Sequence, residues 1–490
     1  MNAKLADWVR ILGPVRIVFL ASLLLSLIAA QGHLVNRDGV YYLEGAKAIL
    51  EGGLAAGIRP GEWGFMPMLI AAISAVTRLD PETAALFMNA LFMAGASALL
   101  VDWVKRKSPE VAWTACLVVL AMPAYNQYRG EILREYGFWF FCMLAFWLAM
   151  RWEETQRWRE AVACQLALVA ATLFRLEAVA FFAALILWQA IAAPRGLKLR
   201  RVLVIGALPL AGAALAVLLY GSGLLAMPQR VMYYLEAANP LHKLQNLNAA
   251  RARMVEAVFP DKYSREEAGY ILLFGLLSII PVKFLKMSGV LLIPMTYAFI
   301  AQPIRNALAR WQPLPWMFLA HLFVLAAFVT HNFFLVGRYV SLLNMLAVPV
   351  VSMGLLLLMR RFPRLKAILA ILVLITLLAN VVSLSPRKTH IVEAGRWLAA
   401  NVKERDLVCI ANSRLAYYAG WRSEGIVFDG AQFEKQIEEG RCAWVAVEAR
   451  KTDRLDAWLH ERRLQEMRRF ENRAGDAVVV ARRDLPSAMR

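Results

Sequence analysis

The chain has 490 residues, 60% of them hydrophobic, a mean hydropathy of +0.51 and a formal net charge of +19. Soluble domains run nearer half apolar, so a soluble enzyme is excluded. The surplus Lys and Arg fall between apolar runs, where they set orientation in a membrane rather than bind nucleic acid.

Apolar runs of about twenty residues indicate a polytopic α-helical membrane protein. The first, Val15 to Gln31, follows Lys4, Arg10 and Arg16 and has no small-residue cleavage site. It is therefore expected to be a helix with a cytoplasmic N-terminus, leaving "RDGVYYLEG" outside. In that stretch Asp38, Tyr41 and Tyr42 share one helical face, flanked by Arg37 and Glu44. Asp38 has two readings, an N-cap of a surface helix or a base for a hydroxyl nucleophile. Phe65 to Val76 is apolar but short. Counting it as a crossing breaks the parity with "KRKSPE" at Lys105, so a helix on the outer surface is expected.

Further crossings are expected at Pro81–Val104, Val111–Tyr125 and Gly137–Met150, with a hairpin over Ala161–Gln189 and another crossing at Val202–Tyr220. A long polar loop follows, in which Lys243, Arg251, Arg253 and Lys262 suit the steering of anions. Tyr270–Phe284 is expected to be a second surface helix. Val290–Ile304, Pro315–Thr330, Tyr339–Met359 and Ala367–Val382 bring the total to about eleven crossings. After Ser385 the stretches "LVCIAN", "GIVFDG", "CAWVAVEA" and "DAVVVARR" read as strands with helices between them. The expected division is a membrane module, 1–384, with outer loops 32–80, 126–136 and 221–286, and an extracytoplasmic α/β domain, 385–490. Cys116, Cys142 and Cys164 lie in apolar runs as core residues, whereas Cys409 and Cys442 can pair in an oxidising compartment.

The unusual charges converge on the outer side. They are Asp38, the Arg129, Glu131, Arg134 and Glu135 group, Arg175 with Glu177, and Arg338 with Tyr339 and nearby His331. Ionisable groups at membrane depth are costly and mark sites or pathways. Intrahelical pairing, a structural ion pair or snorkelling each offers a plainer account of one member. No P-loop, dinucleotide fingerprint, HExxH or nucleophile elbow occurs.

The order of "RDGVYYLEGAKAILEGG", a surface helix, a charged second outer loop, "FRLEA", "GRY" and "HIVEAGRWLAANV…RLAYYAGW" resembles the GT-C glycosyltransferases, in the protein-mannosyltransferase and aminoarabinose-transferase-like group. The resemblance spans most of the chain, through short motifs. It implies inverting transfer of a sugar from a polyprenyl-phosphate donor to a glycolipid (lipid A among them), a glycan or a protein acceptor, at the periplasmic face of a bacterial-type inner membrane. It implies Asp38 as base, Glu131 or Glu135 as second-loop acid, and Arg338 and Tyr339 at the donor phosphate. Arg175, whose guanidinium can make forked bonds to a phosphate, and Arg134 are expected beside them. Arg37, Tyr41, Tyr42, Glu44, Glu177 and His331 are expected to contact substrate. The family often carries Asp-Glu where this chain has Asp38-Gly39, and Pro-Pro-Leu where it has "MPML". No cofactor is required, a divalent metal ion is compatible with the chemistry, and no nucleic acid is expected. The alternative is a transporter or lipid flippase, against which stands the lack of internal repeats.

Overall fold

A computed structural model describes residues 3–32, 34–57, 64–223, 229–259, 261–382, 388–451 and 454–483. Among them, seven helices are long and apolar enough to cross a membrane, so this is a multi-pass membrane protein. The remaining crossings of the expected set are Ala112–Ala121, Glu135–Thr155, Trp158–Phe174 and Val179–Ala192, helices that are shorter or carry more charge and pack into the same bundle.

Local signals fix the elements. Asp80 caps the Pro81–Lys107 helix, accepting from the Glu82 and Thr83 amides, with Pro81 in the first turn and Lys105, Arg106 and Lys107 in the last. The helix of Ala3–Ala30 breaks at Gly13, whose φ of 67° is followed by Pro14, so the apolar run restarts as a separate segment. Phe65–Thr77, at 13 residues, spans about 20 Å and is too short for a crossing of ~30 Å. It packs on the Arg37–Gly52 helix.

The two ends of the bundle differ. At one, Lys107 pairs with Glu154, Arg201 with Glu153, Arg360 with Glu110, and Arg310 donates to Ser108. The turns after residues 30, 121, 174 and 332 lie at the other end. That segregation matches the expected alternation of turns.

The stretch Tyr270–Phe284, expected as a surface helix, lies within a continuous helix, Lys262–Ser288, which passes through a short turn into Leu292–Ala301. Met287, near the end of that helix, meets Gln127 and Gly337 at the end of the bundle that carries the turns after residues 121 and 332. Leu277 and Ile280 of the same helix pack with Leu325 and Val340, and Asn344 donates to the Phe284 carbonyl and Ser288.

Residues 389–483 carry a four-stranded sheet in the order β1-β2-β4-β3. The strands are β1 Val408–Ile410, β2 Trp444–Ala449, β3 Gln465–Glu471 and β4 Ala477–Arg482. β1 and β2 are parallel, and the other pairs are antiparallel. The expected strand "GIVFDG" contributes only a single bridge, Val427 to Ile410. The unexpected one is β3, whose exposed, charged residues form the blunted edge of the sheet.

Cys409 and Cys442 are joined in a disulfide with a Cα separation of 5.6 Å, while Cys116, Cys142 and Cys164 are buried and free. The bond closes a loop over a sequence separation of 33. Loop-closure entropy sets its contribution at about 3–4 kcal/mol. The Cys409→Ser/Cys442→Ser variant is expected to unfold its sheet domain at lower denaturant, followed by tryptophan fluorescence, while the membrane helices stay intact by circular dichroism.

Candidate active site

The site is assembled from four turns at one end of the bundle. The first two are locked together by Asn36. Its side-chain amide donates to the Ile132 carbonyl at 3.2 Å, and its Oδ1 accepts from the Ile132 amide at 2.9 Å. The close approach explains Gly39. A Cβ there would stand 2.7 Å from Asn36 Oδ1 and 3.1 Å from the Ile132 Cβ, so a larger residue after Asp38 would push the two turns apart. Gly137 plays the same part between the second and third turns. A Cβ on it would lie 2.3 Å from the Phe174 ring, immediately before Arg175.

Five charged side chains then form a continuous chain. Asp38 Oδ2 accepts from Arg338 Nη2 at 2.6 Å. The other side of the Arg338 guanidinium faces Glu135 Oε1 at 3.3 Å. The same Glu135 oxygen accepts from Arg175 Nη1 at 2.9 Å, and Arg175 Nη2 reaches Glu177 at 2.6 Å. Side-chain exposure is 7% for Arg175, 3% for Glu135 and 9% for Glu177, against 38% for Asp38. The chain of charges therefore runs from a dry interior to an open mouth at Asp38. The Tyr339 ring lies under the Arg175 guanidinium, 4.2 Å from its centroid.

Burial alone would raise the Glu177 carboxyl, but the Arg175 guanidinium holds it down at about 2. Glu131 stands where burial wins. Its carboxyl is raised, with Arg338 opposing the shift and Asp38 and Glu135 adding to it. Burial likewise raises the Tyr42 hydroxyl and keeps it a phenol. Folded Glu131 thus holds its proton to higher pH than the unfolded chain. Below about pH 4 the two states are alike, and as pH rises above that range the group becomes destabilising. Glu131→Gln is expected to raise the thermal midpoint at about pH 8 and to leave it unchanged at about pH 4, as measured by calorimetry in detergent.

A narrow cleft with about 10 Å³ of water-accessible space opens on this cluster. Glu135, Arg175, Glu177 and Arg338 line its polar side, and Phe138, Leu325 and Phe328 its apolar side. Glu135 Oε2 is buried and has no hydrogen-bond partner, which leaves one acceptor free for a bound group. Among the described residues no three His, Cys, Asp or Glu side chains are grouped to hold a metal. Asp38 and Glu135 are separated by the Arg338 guanidinium, which stands where a shared cation would have to sit. This donor set does not fit a divalent ion.

The expected residues do not all meet. Asp38, Glu135, Arg175, Glu177, Arg338 and Tyr339 are joined directly. Glu131, Arg134 and Tyr42 couple to the cluster electrostatically, and among the described residues Arg134 forms no ion pair. Tyr41 stacks edge-on against Tyr42, and Arg37 is exposed. Glu44 turns away, accepting from the Ser423 amide and hydroxyl in the C-terminal region. His331 packs against Tyr233 and His242, apart from the charges. Arg129 is fully buried and bonds to Asn126, Ser22 and Ser26, tying the second turn to the first helix. Burial brings its guanidinium down to about 10, so it stays charged near neutral pH. Two members were not expected from sequence, Asn36 and His321. The latter lies beneath the cleft with Nε2 at 3.0 Å from the Tyr339 carbonyl.

No family model matches the chain, and no curated protein matches it. Among solved structures it is similar to an oligosaccharyltransferase of Archaeoglobus fulgidus in complex with Zn and sulfate. That similarity is 12% identity over 79% of this chain and 56% of that one, with a TM-score of 0.47. It is also similar to ArnT from Cupriavidus metallidurans in the apo state, at 15% identity over 98% of both chains and a TM-score of 0.44.

Proposed function

We propose that this chain is a GT-C-type membrane glycosyltransferase that moves a sugar from a polyprenyl-phosphate donor to a hydroxyl or phosphate on a glycan, lipid or protein acceptor. The observation that carries the reading is the linkage Asp38–Arg338–Glu135–Arg175–Glu177, drawn from separate turns and opening to a cleft with one polar and one apolar wall. A plain structural ion pair needs neither an exposed terminal carboxylate nor a free buried acceptor.

In this reading the acceptor oxygen attacks the anomeric carbon from the Asp38 side. Its proton passes to the Asp38 carboxylate. The bond between the anomeric carbon and the phosphate oxygen breaks, and the electron pair leaves with the polyprenyl phosphate. Arg338 and Arg134 stand where negative charge grows on the leaving group. Arg175, more deeply buried than Arg338 and held by Glu135 and Glu177, orients Glu135 and Tyr339 rather than binding donor. Glu135 Oε2 accepts a hydroxyl of the donor sugar. The apolar wall of Phe138, Leu325 and Phe328 takes the first isoprene units. The outer face of a bacterial inner membrane, with the sheet domain in the periplasm, suits such a donor and the disulfide alike.

The test is transfer of a labelled sugar from its polyprenyl phosphate by the purified chain in lipid nanodiscs. Arg338→Ala is expected to raise the half-saturating donor concentration at least tenfold, the loss of about one charge-assisted hydrogen bond. An unchanged donor dependence would reassign Arg338 to a purely structural pairing with Asp38.

A further inference from the structure

The membrane bundle and the sheet domain exchange side chains where they meet. Leu34, just before the Arg37–Gly52 helix, packs against the sheet-domain core that holds Leu415 and Trp421. In return Tyr417 packs against the core of the bundle, and its hydroxyl donates at 2.7 Å to Glu82 in the first turn of the Pro81–Lys107 helix. On the Arg37–Gly52 helix, Glu44 accepts from the Ser423 amide and hydroxyl, and Lys47 lies 4.8 Å from the centroid of the Tyr417 ring. The helix that carries Asp38 is thus held by residues of the sheet domain on the side away from Arg338.

The contact nearest the site lies three residues before Asp38. The buried Val35 amide donates to the Tyr418 hydroxyl at 2.9 Å. Residues 34–36 belong to no helix or strand. Asn36 occupies the capping position of the helix yet makes no capping bond within it, and its side chain is committed to Ile132 instead. The entry of the helix is therefore fixed by two tertiary links, Ile132 on the bundle side and Tyr418 on the domain side. Tyr418 is itself closely seated. A Cβ on Gly395 would lie 2.8 Å from the Tyr418 Cβ and 3.1 Å from the Ala419 nitrogen, so the Thr389–Asn401 helix rests directly on the backbone that presents Tyr418. A segment without regular structure opens easily unless it is tied down, whereas proton transfer needs its carboxylate held within a fraction of an ångström.

We infer that the sheet domain is part of the transfer site, with Tyr418 as a positioning residue that sets Asp38 against Arg338 and the acceptor through Val35 and Asn36. The inference rests on the glycosyl-transfer reading and adds the element that holds the base in place. Arg134 and Arg338 are carried by other turns, so donor binding does not depend on Tyr418.

The experiment uses the full chain in lipid nanodiscs, a labelled polyprenyl-phosphate sugar as donor, and an envelope extract from cells lacking the chain as acceptor. Tyr418→Phe removes one hydroxyl and keeps the ring. It is expected to lower the maximal rate about tenfold, with the half-saturating donor concentration at its parental value and the sheet domain still folded by tryptophan fluorescence. Amide hydrogen exchange across residues 34–40 should run about tenfold faster than in the parent. In an Asp38→Asn background the same substitution should leave the residual rate unchanged, because residues that act as a unit are not additive. A merely structural role would lower that rate again. Arg422→Ala is the comparison. It removes the exposed pair with Glu51, about 20 Å along the helix from Asp38, and should keep the parental rate. A parental rate or parental exchange in Tyr418→Phe, a further loss in the Asp38→Asn background, or an equal loss in Arg422→Ala each overturns the inference and leaves the transferase reading intact. Failure of the parent to transfer sugar to any acceptor removes the transferase reading, and the inference with it.

Discussion

Asp38→Asn is expected to reduce sugar transfer by about two to four orders of magnitude while leaving the fold and donor binding in place. The amide keeps the shape of the carboxylate, and its oxygen can still accept from Arg338 Nη2, now at 2.6 Å. What it loses is the capacity to take a proton. The half-exposed position of Asp38, at the mouth of an otherwise buried cluster, makes this a clean substitution. Steady-state transfer in nanodiscs, with polyprenyl-phosphate binding measured beside it, separates the two effects. Parental turnover by the Asn variant would move the base elsewhere.

Arg175→Ala is expected to be the most damaging single change to stability. It strands Glu177 and leaves Glu135 with the Arg338 guanidinium alone, and both carboxylates are almost fully buried. Removing one partner of such a pair costs about 3–5 kcal/mol, because a buried charge is left without compensation. The Tyr339 ring would also lose the cation stacked on it. A replacement that neutralises both acids, Glu135→Gln and Glu177→Gln together with Arg175→Met, should recover much of the loss in thermal midpoint without recovering transfer. The pH dependence follows from Glu177. Its carboxyl sits at about 2 in the folded chain, below the ~4.3 of an unfolded glutamate. Its stabilising contribution is therefore complete above about pH 4.3 and is lost as pH falls toward about 2. In the Arg175→Ala variant that acid-side loss should shrink.

Much of the site is legible in the sequence, for a physical reason. Charge in an apolar chain is expensive, so Asp38, Glu135, Arg175, Glu177 and Arg338 stand out, and parity brings them to one end of the bundle. Sequence does not reveal which way a residue faces around its helix. Glu44 shares its helix with Asp38 yet turns to Ser423, and His331 ends its helix against Tyr233 and His242. Arg129 has the look of a site cation but spends its bonds on Ser22, Ser26 and Asn126. Gly39 reads as a missing second acid. In the fold it is the clearance that lets Ile132 approach Asn36. His321 gives no signal in sequence, since a lone histidine in an apolar run is most simply a satisfied core residue. β3 was hidden because an exposed edge strand carries no apolar alternation.

The central claim is that the cluster ending in Asp38 transfers a sugar outside the cytosol. Mass spectrometry of envelope lipids and glycans tests it most directly, in cells carrying the parent chain, the Asp38→Asn variant or neither. A species heavier by one sugar residue is expected with the parent chain alone. The same species in Asp38→Asn cells, or identical profiles in all three, would contradict the account.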